Sequence, residues 1–292
     1  MNLKSKQILV TGGAGFIGSH LVEALSEKSN VYIIDKYNCD LTDFPKLQKA
    51  IREIKPEIIF HLAAFTSPER NVDSEFIFRN NFYSTINLFK ALKGDFSLFV
   101  NTGTCEEYGD GPTPFKESQT PIPVSPYSAS KIASTYYCQM LHNVYDLPII
   151  TLRPFLTYGP RQRNTKMLIP STILSILKNK ELKMTKGEQT RDFVYVKDVV
   201  EAYIKAAQNK KAIGEIINIG SGKEYKIKDI VSKIIHITKS NLKPQKVLPY
   251  RKGETMHFYC SNLKAKKLLG WQPKTSFEQG LIKTIDWYKN NI

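Results

Sequence analysis

The chain has 292 residues, 41% hydrophobic and 24% charged, a globular composition long enough to bury a core without disulfide or metal staples. Lys and Arg number 42 against 27 Asp and Glu, a formal charge of +15, but the lysines are scattered, which points to a solvated basic surface and not to nucleic acid. No apolar run reaches the roughly 18 residues of a membrane span, and the first apolar stretch stops at Thr11-Gly12-Gly13, too soon for a signal peptide, so a soluble, cytoplasmic protein is expected.

In chain order, residues 7–10 form a short apolar run ending in glycines, which predicts a buried strand. Phe16 to Leu25 has helical spacing through Ile17, Leu21, Val22 and Leu25, and Val31 to Ile34 is a second strand that stops at Asp35. Phe44 to Ile54 is amphipathic, Glu57 to Leu62 is a strand, Phe76 to Leu92 is one long helix, and Leu98 to Val100 is a strand. Tyr127 to Tyr145 is helical and Pro148 to Leu152 is a strand. Strands alternating with helices predict an α/β fold, a Rossmann-type doubly wound parallel sheet. Beyond residue 160 prolines punctuate shorter pieces, with helices at 193–207 and 227–238 and a strand at 215–219. The expected organisation is a dinucleotide-binding domain over 1–160 and a smaller substrate lobe over 161–292, partly interleaved with the first.

Thr11-Gly12-Gly13-Ala14-Gly15-Phe16-Ile17-Gly18 lies between the first strand and the first helix. Gly12 can turn tightly, Gly15 can admit a diphosphate to the backbone, and Gly18 allows close helix–strand packing, while the helix N-terminus offers N–H groups to the anion. Asp35, at the end of the second strand, can accept both hydroxyls of the adenosine ribose and repel a 2′-phosphate. This favours NAD over NADP, although Lys36 beside it would tolerate the extra phosphate. Tyr127 and Lys131 are four apart in a predicted helix and share one face. A phenol is a poor base at neutral pH, and a neighbouring ammonium is expected to lower its pKa into a useful range. The four cysteines, Cys39, Cys105, Cys138 and Cys260, lack C-x-x-C or nearby His spacing, so free thiols and no metal site are expected.

With these residues in place, the chain resembles the extended short-chain dehydrogenase/reductases, in the NAD-dependent nucleotide-sugar epimerase and dehydratase group. The resemblance runs over essentially the whole chain: TGGAGFIG at 11–18, DLTD at 40–43, HLAA at 61–64, EYG at 107–109, YSASK at 127–131, TRDFVYVKDV at 190–199, NIGSG at 218–222 and the Arg251–Glu254 element. It implies that Gly12, Gly15, Phe16, Ile17, Gly18, Asp35, Asp40, Leu41, Leu62, Ala63, Ala64 and Asn81 hold NAD together with Tyr127 and Lys131. It places Thr104 as the hydroxyl that assists Tyr127 at the sugar C4 oxygen. Thr66, Arg191 and Arg251 fall on the nucleoside diphosphate sugar, the two arginines as a diphosphate clamp. It further implies a homodimer through a bundle containing the Tyr–Lys helix. His61, at a strand end, is expected to be structural.

The chain departs from the family pattern at four places. Only four residues separate Asp35 from Asp40, so the adenine side is short. Leu156 stands where the family usually has Asn. Thr104-Cys105-Glu106 replaces the Thr-Asp-Glu of common 4,6-dehydratases, so Glu106 is a candidate base and Cys105 a candidate acid if its thiol stays protonated; the alternative is that Cys105 is a buried filler and Glu106 a polar wall. Glu107 stands where many relatives are apolar, a second carboxylate expected to line or edge the site. Three activities can proceed from a 4-keto sugar: epimerisation, dehydration, or an NAD(P)H-dependent reduction of a 4-keto-6-deoxy sugar. A dinucleotide- or RNA-binding protein without catalysis is a more distant reading, opposed by the intact Thr104, Tyr127 and Lys131.

Overall fold

A computed structural model describes residues 2–66, 72–250 and 253–291, apart from the side chains of 245–247. Its first half runs β1 (Gln7–Thr11), α1 (Phe16–Ser26), β2 (Asn30–Ile34), α2 (Phe44–Ile54), β3 (Ile58–His61), α3 (Ser74–Phe78), α4 (Ser84–Leu92), β4 (Leu98–Thr102), α5 (Pro126–Tyr145) and β5 (Ile149–Pro154). The second half runs β6 (Leu156–Tyr158), α6 (Leu168–Leu177), β7 (Leu182–Met184), β8 (Thr190–Arg191), β9 (Phe193–Tyr195), α7 (Val196–Gln208), β10 (Ile216–Ile219), β11 (Tyr225–Lys226), α8 (Ile227–Thr238), β12 (Pro244–Val247), α9 (Leu263–Leu269) and α10 (Phe277–Asn291).

The fold is α/β, and its main sheet has six parallel strands in the order β2-β1-β3-β4-β5-β10. Both faces are covered at the inner strands, because side chains alternate along each strand and apolar residues point to both sides. Ile8, Val10, Ile58, Phe60, Leu98 and Val100 pack with Leu21 and Leu25 of α1 and Val199 and Tyr203 of α7. Leu9, Ile59 and Phe99 face the other way, onto Leu47 and Ile51 of α2, Leu88 and Phe89 of α4 and Leu141 of α5. Helix starts are encoded locally: Asp43 caps α2 and Ser125 caps α5, each with proline in the first turn. The parallel strands bring the loops after β1, β3, β4 and β5 to one edge, where ligands of such sheets bind.

Two expectations change. The helix expected over 76–92 is divided by a π-helical turn at Arg79–Tyr83. That turn holds Asn81 inward, where its Oδ1 accepts from Phe65 N (2.7 Å) and its Nδ2 donates to Ser130 Oγ (3.0 Å). The helix expected over 193–207 begins instead as strand β9, paired in parallel with β6; an apolar run this short has no periodicity to tell the two apart. The sheet draws its sixth strand from Ile216–Ile219, within the strand expected at 215–219, so the second half of the chain interleaves with the first. What remains of the second half, with the small pairs β6·β9, β8·β11 and β7·β12, packs α6, α8 and α10 around Ile169, Ile173, Ile230, Ile234, Leu281 and Ile285. At the other edge, the segment after β2 turns on itself through Asn38 Nδ2 to Ile33 O (2.8 Å) and adds no strand. Among the described residues no helix is long and apolar enough to cross a membrane.

Candidate active site

The loop after β1 has one backbone conformation that only glycine adopts easily. Gly12 has φ +71°, and a Cβ there would stand 2.8 Å from the Ala63 backbone. Its N–H bonds Ile34 O at 2.7 Å, tying the turn to β2, and α1 then starts at Phe16 with no acidic residue in its first turn. A cavity lies against this helix start, lined by Gly12, Gly15, Phe16, Ile17, Gly18, Leu62, Ala64 and Thr66, and reaches Thr104, Tyr127 and Lys131. A second cavity continues over the loop to Asp35, Asp40, Leu41, Ala63 and Ala64. Gly12, Gly15, Leu62, Ala64 and Thr66 border both. The two together form a trough with the N-terminus of α1 at its middle, a carboxylate at one end and the Tyr–Lys pair at the other, an arrangement that fits NAD. Lys36 lies over the Tyr37 ring at 5.1 Å, beside the Asp35 end.

One expected placement differs. Asn81 lines neither cavity; it is buried, and its amide joins Phe65 to Ser130 of α5, so it shapes the trough from behind. Thr66, expected on the substrate, borders both cavities, the first of which also reaches Thr104, Glu106 and Tyr127. Arg251 lies outside the described residues.

At the Tyr–Lys end a third cavity opens, lined by Cys105, Glu106, Tyr127, Arg191 and Glu254, with apolar walls from Ile77, Val124, Leu156, Leu168 and Phe258. Thr104 caps the short 3-10 turn Cys105–Tyr108, accepting from Glu106 N at 3.3 Å. Cys105, Glu106, Tyr127 and Leu156 border both this cavity and the cofactor-side one, so they sit at the junction. Burial, then the Glu106 carboxylate, holds the Tyr127 phenol well above its ordinary pKa, against a lowering hydrogen bond from the Thr104 hydroxyl. Burial pushes the Lys131 ammonium down, against the pull of Glu107. The leading charge on the phenol is Glu106, while Lys131 is sunk to 2% exposure with Glu107 as its foremost charge partner. Burial and Glu106 also raise the Cys105 thiol well above its usual value, so it is protonated at neutral pH.

Arg191 donates to Thr190 O (2.7 Å) and Thr255 O (2.9 Å) and pairs with Glu254, its guanidinium over the Phe258 ring. Glu107, expected to line or edge the site, is wholly buried behind it and paired with Arg153 at 2.7 Å. The reason is its place in the turn: it is the third residue after the Thr104 cap and reaches back to Thr104 N. His61 is buried between Thr11 Oγ1 (2.7 Å at Nδ1) and Thr85 Oγ1 (3.0 Å at Nε2), and burial drives its pKa down to about 3. The Thr85 hydroxyl donates to Asn81 O, which leaves His61 Nε2–H as the donor in a neutral ring. The sequence reading missed Gln162, Asn164, Lys166 and Met167 at the cavities. They directly follow Tyr158-Gly159-Pro160, and nearness to that glycine turn was the available signal.

A family model described as the NAD dependent epimerase/dehydratase family matches residues 8–220. The chain belongs to that family. It is 32% identical to a UDP-glucose 4-epimerase of Mycolicibacterium smegmatis, over 97% of this chain and 98% of that protein. It is 31% identical to dTDP-glucose 4,6-dehydratase 1 of Escherichia coli, over 98% of this chain and 93% of that protein. Among solved structures, a UDP-N-acetylglucosamine 4-epimerase from Methanobrevibacter ruminantium, in complex with UDP-N-acetylmuramic acid, superposes with a TM-score of 0.92 at 31% identity, covering 99% of this chain and all of that one. These relatives differ in the reaction at the sugar, so the family places this chain among NAD-dependent enzymes of nucleotide sugars.

Proposed function

We propose that the protein is a nucleotide-sugar epimerase or dehydratase that works through a transient 4-keto sugar, with Tyr127 as its acid/base. The observation that carries this reading is the junction itself, where Thr104, Tyr127, Cys105 and Glu106 border the cofactor trough while the last three also border the cavity holding Arg191. NAD, held along Gly12, Gly15 and Asp35, supplies the hydride acceptor. Tyr127 takes the proton of the sugar C4 hydroxyl, and Thr104, donating to the phenol oxygen, steadies the phenolate as it forms. Lys131, beside the same trough, binds the nicotinamide ribose. Arg191 meets the diphosphate by exchanging its Glu254 partner for phosphate oxygens.

The exposed carboxylate of Glu106 faces the sugar side and can take the C5 proton, and the protonated Cys105 can pass its proton to a leaving C6 hydroxyl; the hydride taken from C4 would then return to C6 and the proton to C5, leaving a 4-keto-6-deoxy sugar. These two groups support dehydration as one outcome; without them in use, return of hydride to the other face gives the C4 epimer. Leu156, where the family usually has Asn, adds an apolar wall in place of a polar contact. A homodimer is supported by an apolar stripe on the helix that carries Tyr127: Tyr136, Met140 and Val144, four apart, are 49%, 38% and 62% exposed. The direct test is Tyr127→Phe, which should retain NAD and lose roughly 10²–10⁴-fold in turnover. Normal turnover in that variant would remove Tyr127 from the mechanism.

A further inference from the structure

We propose that Glu107 is a positioning residue, which locks Thr104 in place against the helix bearing Tyr127 and Lys131. It touches neither cavity, yet its carboxylate collects four donors from three elements. Oε1 accepts from Thr104 N (2.8 Å) and from Thr135 Oγ1 (3.1 Å). Oε2 accepts from Arg153 Nε (2.9 Å) and Nη2 (2.7 Å). Thr104 is on the loop after β4, Thr135 on α5 and Arg153 on β5.

The helix register gives these contacts their meaning. Tyr127, Lys131 and Thr135 follow at four-residue intervals, so they lie along one face of α5. Glu107 thus holds the catalytic loop by its Thr104 amide and holds the catalytic helix by the face that presents the phenol. The clamp extends further, because Arg153 Nη1 donates to Tyr108 Oη (3.0 Å), and Tyr108 Oη donates to Asn218 Oδ1 (2.8 Å) on β10. The neighbouring residue leaves room for it: a Cβ at Gly103 would stand 2.5 Å from Glu107 Oε1. Glu107 is also the leading charge that opposes the lowering of the Lys131 pKa by burial.

Stability alone does not account for a buried pair of this kind. Replacing a buried ion pair by apolar side chains of similar volume is often neutral or stabilising, whereas removing one partner strands a charge. What apolar side chains cannot do is accept the Thr104 N–H and the Thr135 O–H together.

The proposal rests on the reading that Thr104 and Tyr127 form the reacting pair, so its test has one readout that needs no substrate. Glutamine offers one acceptor oxygen where the carboxylate offers two, so Glu107→Gln must leave either Thr104 N–H or Arg153 short of a partner. Amide hydrogen exchange of the NAD-loaded protein should show the segment 103–109 exchanging about tenfold faster in Glu107→Gln, with the sheet strands unchanged. Unchanged exchange at Thr104 overturns the proposal, whatever the protein does to sugars. The second readout is turnover of UDP-glucose and dTDP-glucose. Glu107→Gln should lower kcat by roughly 100-fold with KM little changed, as a misplaced catalytic group does. In a Thr104→Ala background the same change should cost less than about threefold more, since the group being positioned is gone.

Glu107→Met combined with Arg153→Met separates folding from positioning. The double variant should melt within a few degrees of the parent and still show the kcat loss. Full turnover in it, or additive losses with Thr104→Ala, refutes positioning. If the parent converts neither sugar, the activity reading loses support while the exchange result still decides the role of Glu107.

Discussion

His61 lets the buried polar network be tested as free energy. It sits 1% exposed between two hydroxyls, and its pKa falls from 6.5 to about 3. The native ring is therefore neutral at pH values where the unfolded ring is protonated. With the folded pKa depressed, this contribution to stability is fully present above the unfolded value of 6.5 and is lost as pH falls towards about 3. The slope is about 1.4 kcal/mol per pH unit, so moving from pH ~7.5 to pH ~5 should remove about 2 kcal/mol through this residue alone. The perturbation is His61→Gln, which removes the titration and keeps a side chain able to donate and accept. Urea unfolding of parent and variant at both pH values, tracked by tryptophan fluorescence, gives the comparison. Other groups that titrate in this range, including His20, are present in both proteins and cancel. The parent should lose about 2 kcal/mol more than the variant between the two pH values. Equal losses would show that His61 is not held neutral, and the hydroxyl–imidazole chain from Thr11 to Asn81 would be wrong.

Two further outcomes are expected from the candidate site and the helix surface. Glu106→Gln should remove loss of water from C5–C6 by roughly 10²–10⁴-fold while sparing epimerisation at C4, as read by product analysis; a dehydratase untouched by it would exclude Glu106 as the base. Val144→Glu should turn a homodimer into monomers in sedimentation, whereas a parent already monomeric would leave the exposed stripe on α5 without its partner.

Much of the scaffold was legible because its signals are local. Ile8-Leu9-Val10 and Leu98-Phe99-Val100 bury both strand faces, and Asp43 and Ser125 start helices where capping residues should. The glycine loop, Asp35 and the Tyr127–Lys131 pair came from spacing that chemistry constrains, and they do fall along one trough. The parts that escaped depend on tertiary partners. Nothing within 76–92 announces that Asn81 will bond Phe65 and Ser130, yet that inward turn coincides with the break in the helix. The Tyr127 pKa depends on which charges burial leaves next to the phenol, and four-residue spacing brought Lys131 to the same face without making it the leading one. Glu107 was readable after all: Thr104-Cys105-Glu106-Glu107 is a capping-box pattern, in which the acid at the third position turns back to the cap and away from solvent.

The central claim is that Tyr127 and NAD carry a sugar through its 4-ketone, and the most direct measurement is mass spectrometry of UDP, GDP, CDP and dTDP sugars, deuterated at C4, after incubation with the protein and NAD. The account predicts a product that retains the deuterium, either at unchanged mass with altered retention, as an epimer, or lighter by one water, as a dehydration product, formed roughly 10²–10⁴-fold more slowly by Tyr127→Phe. No product from any of these sugars, together with consumption of NADH on 4-keto sugars, would contradict it and establish a reductase.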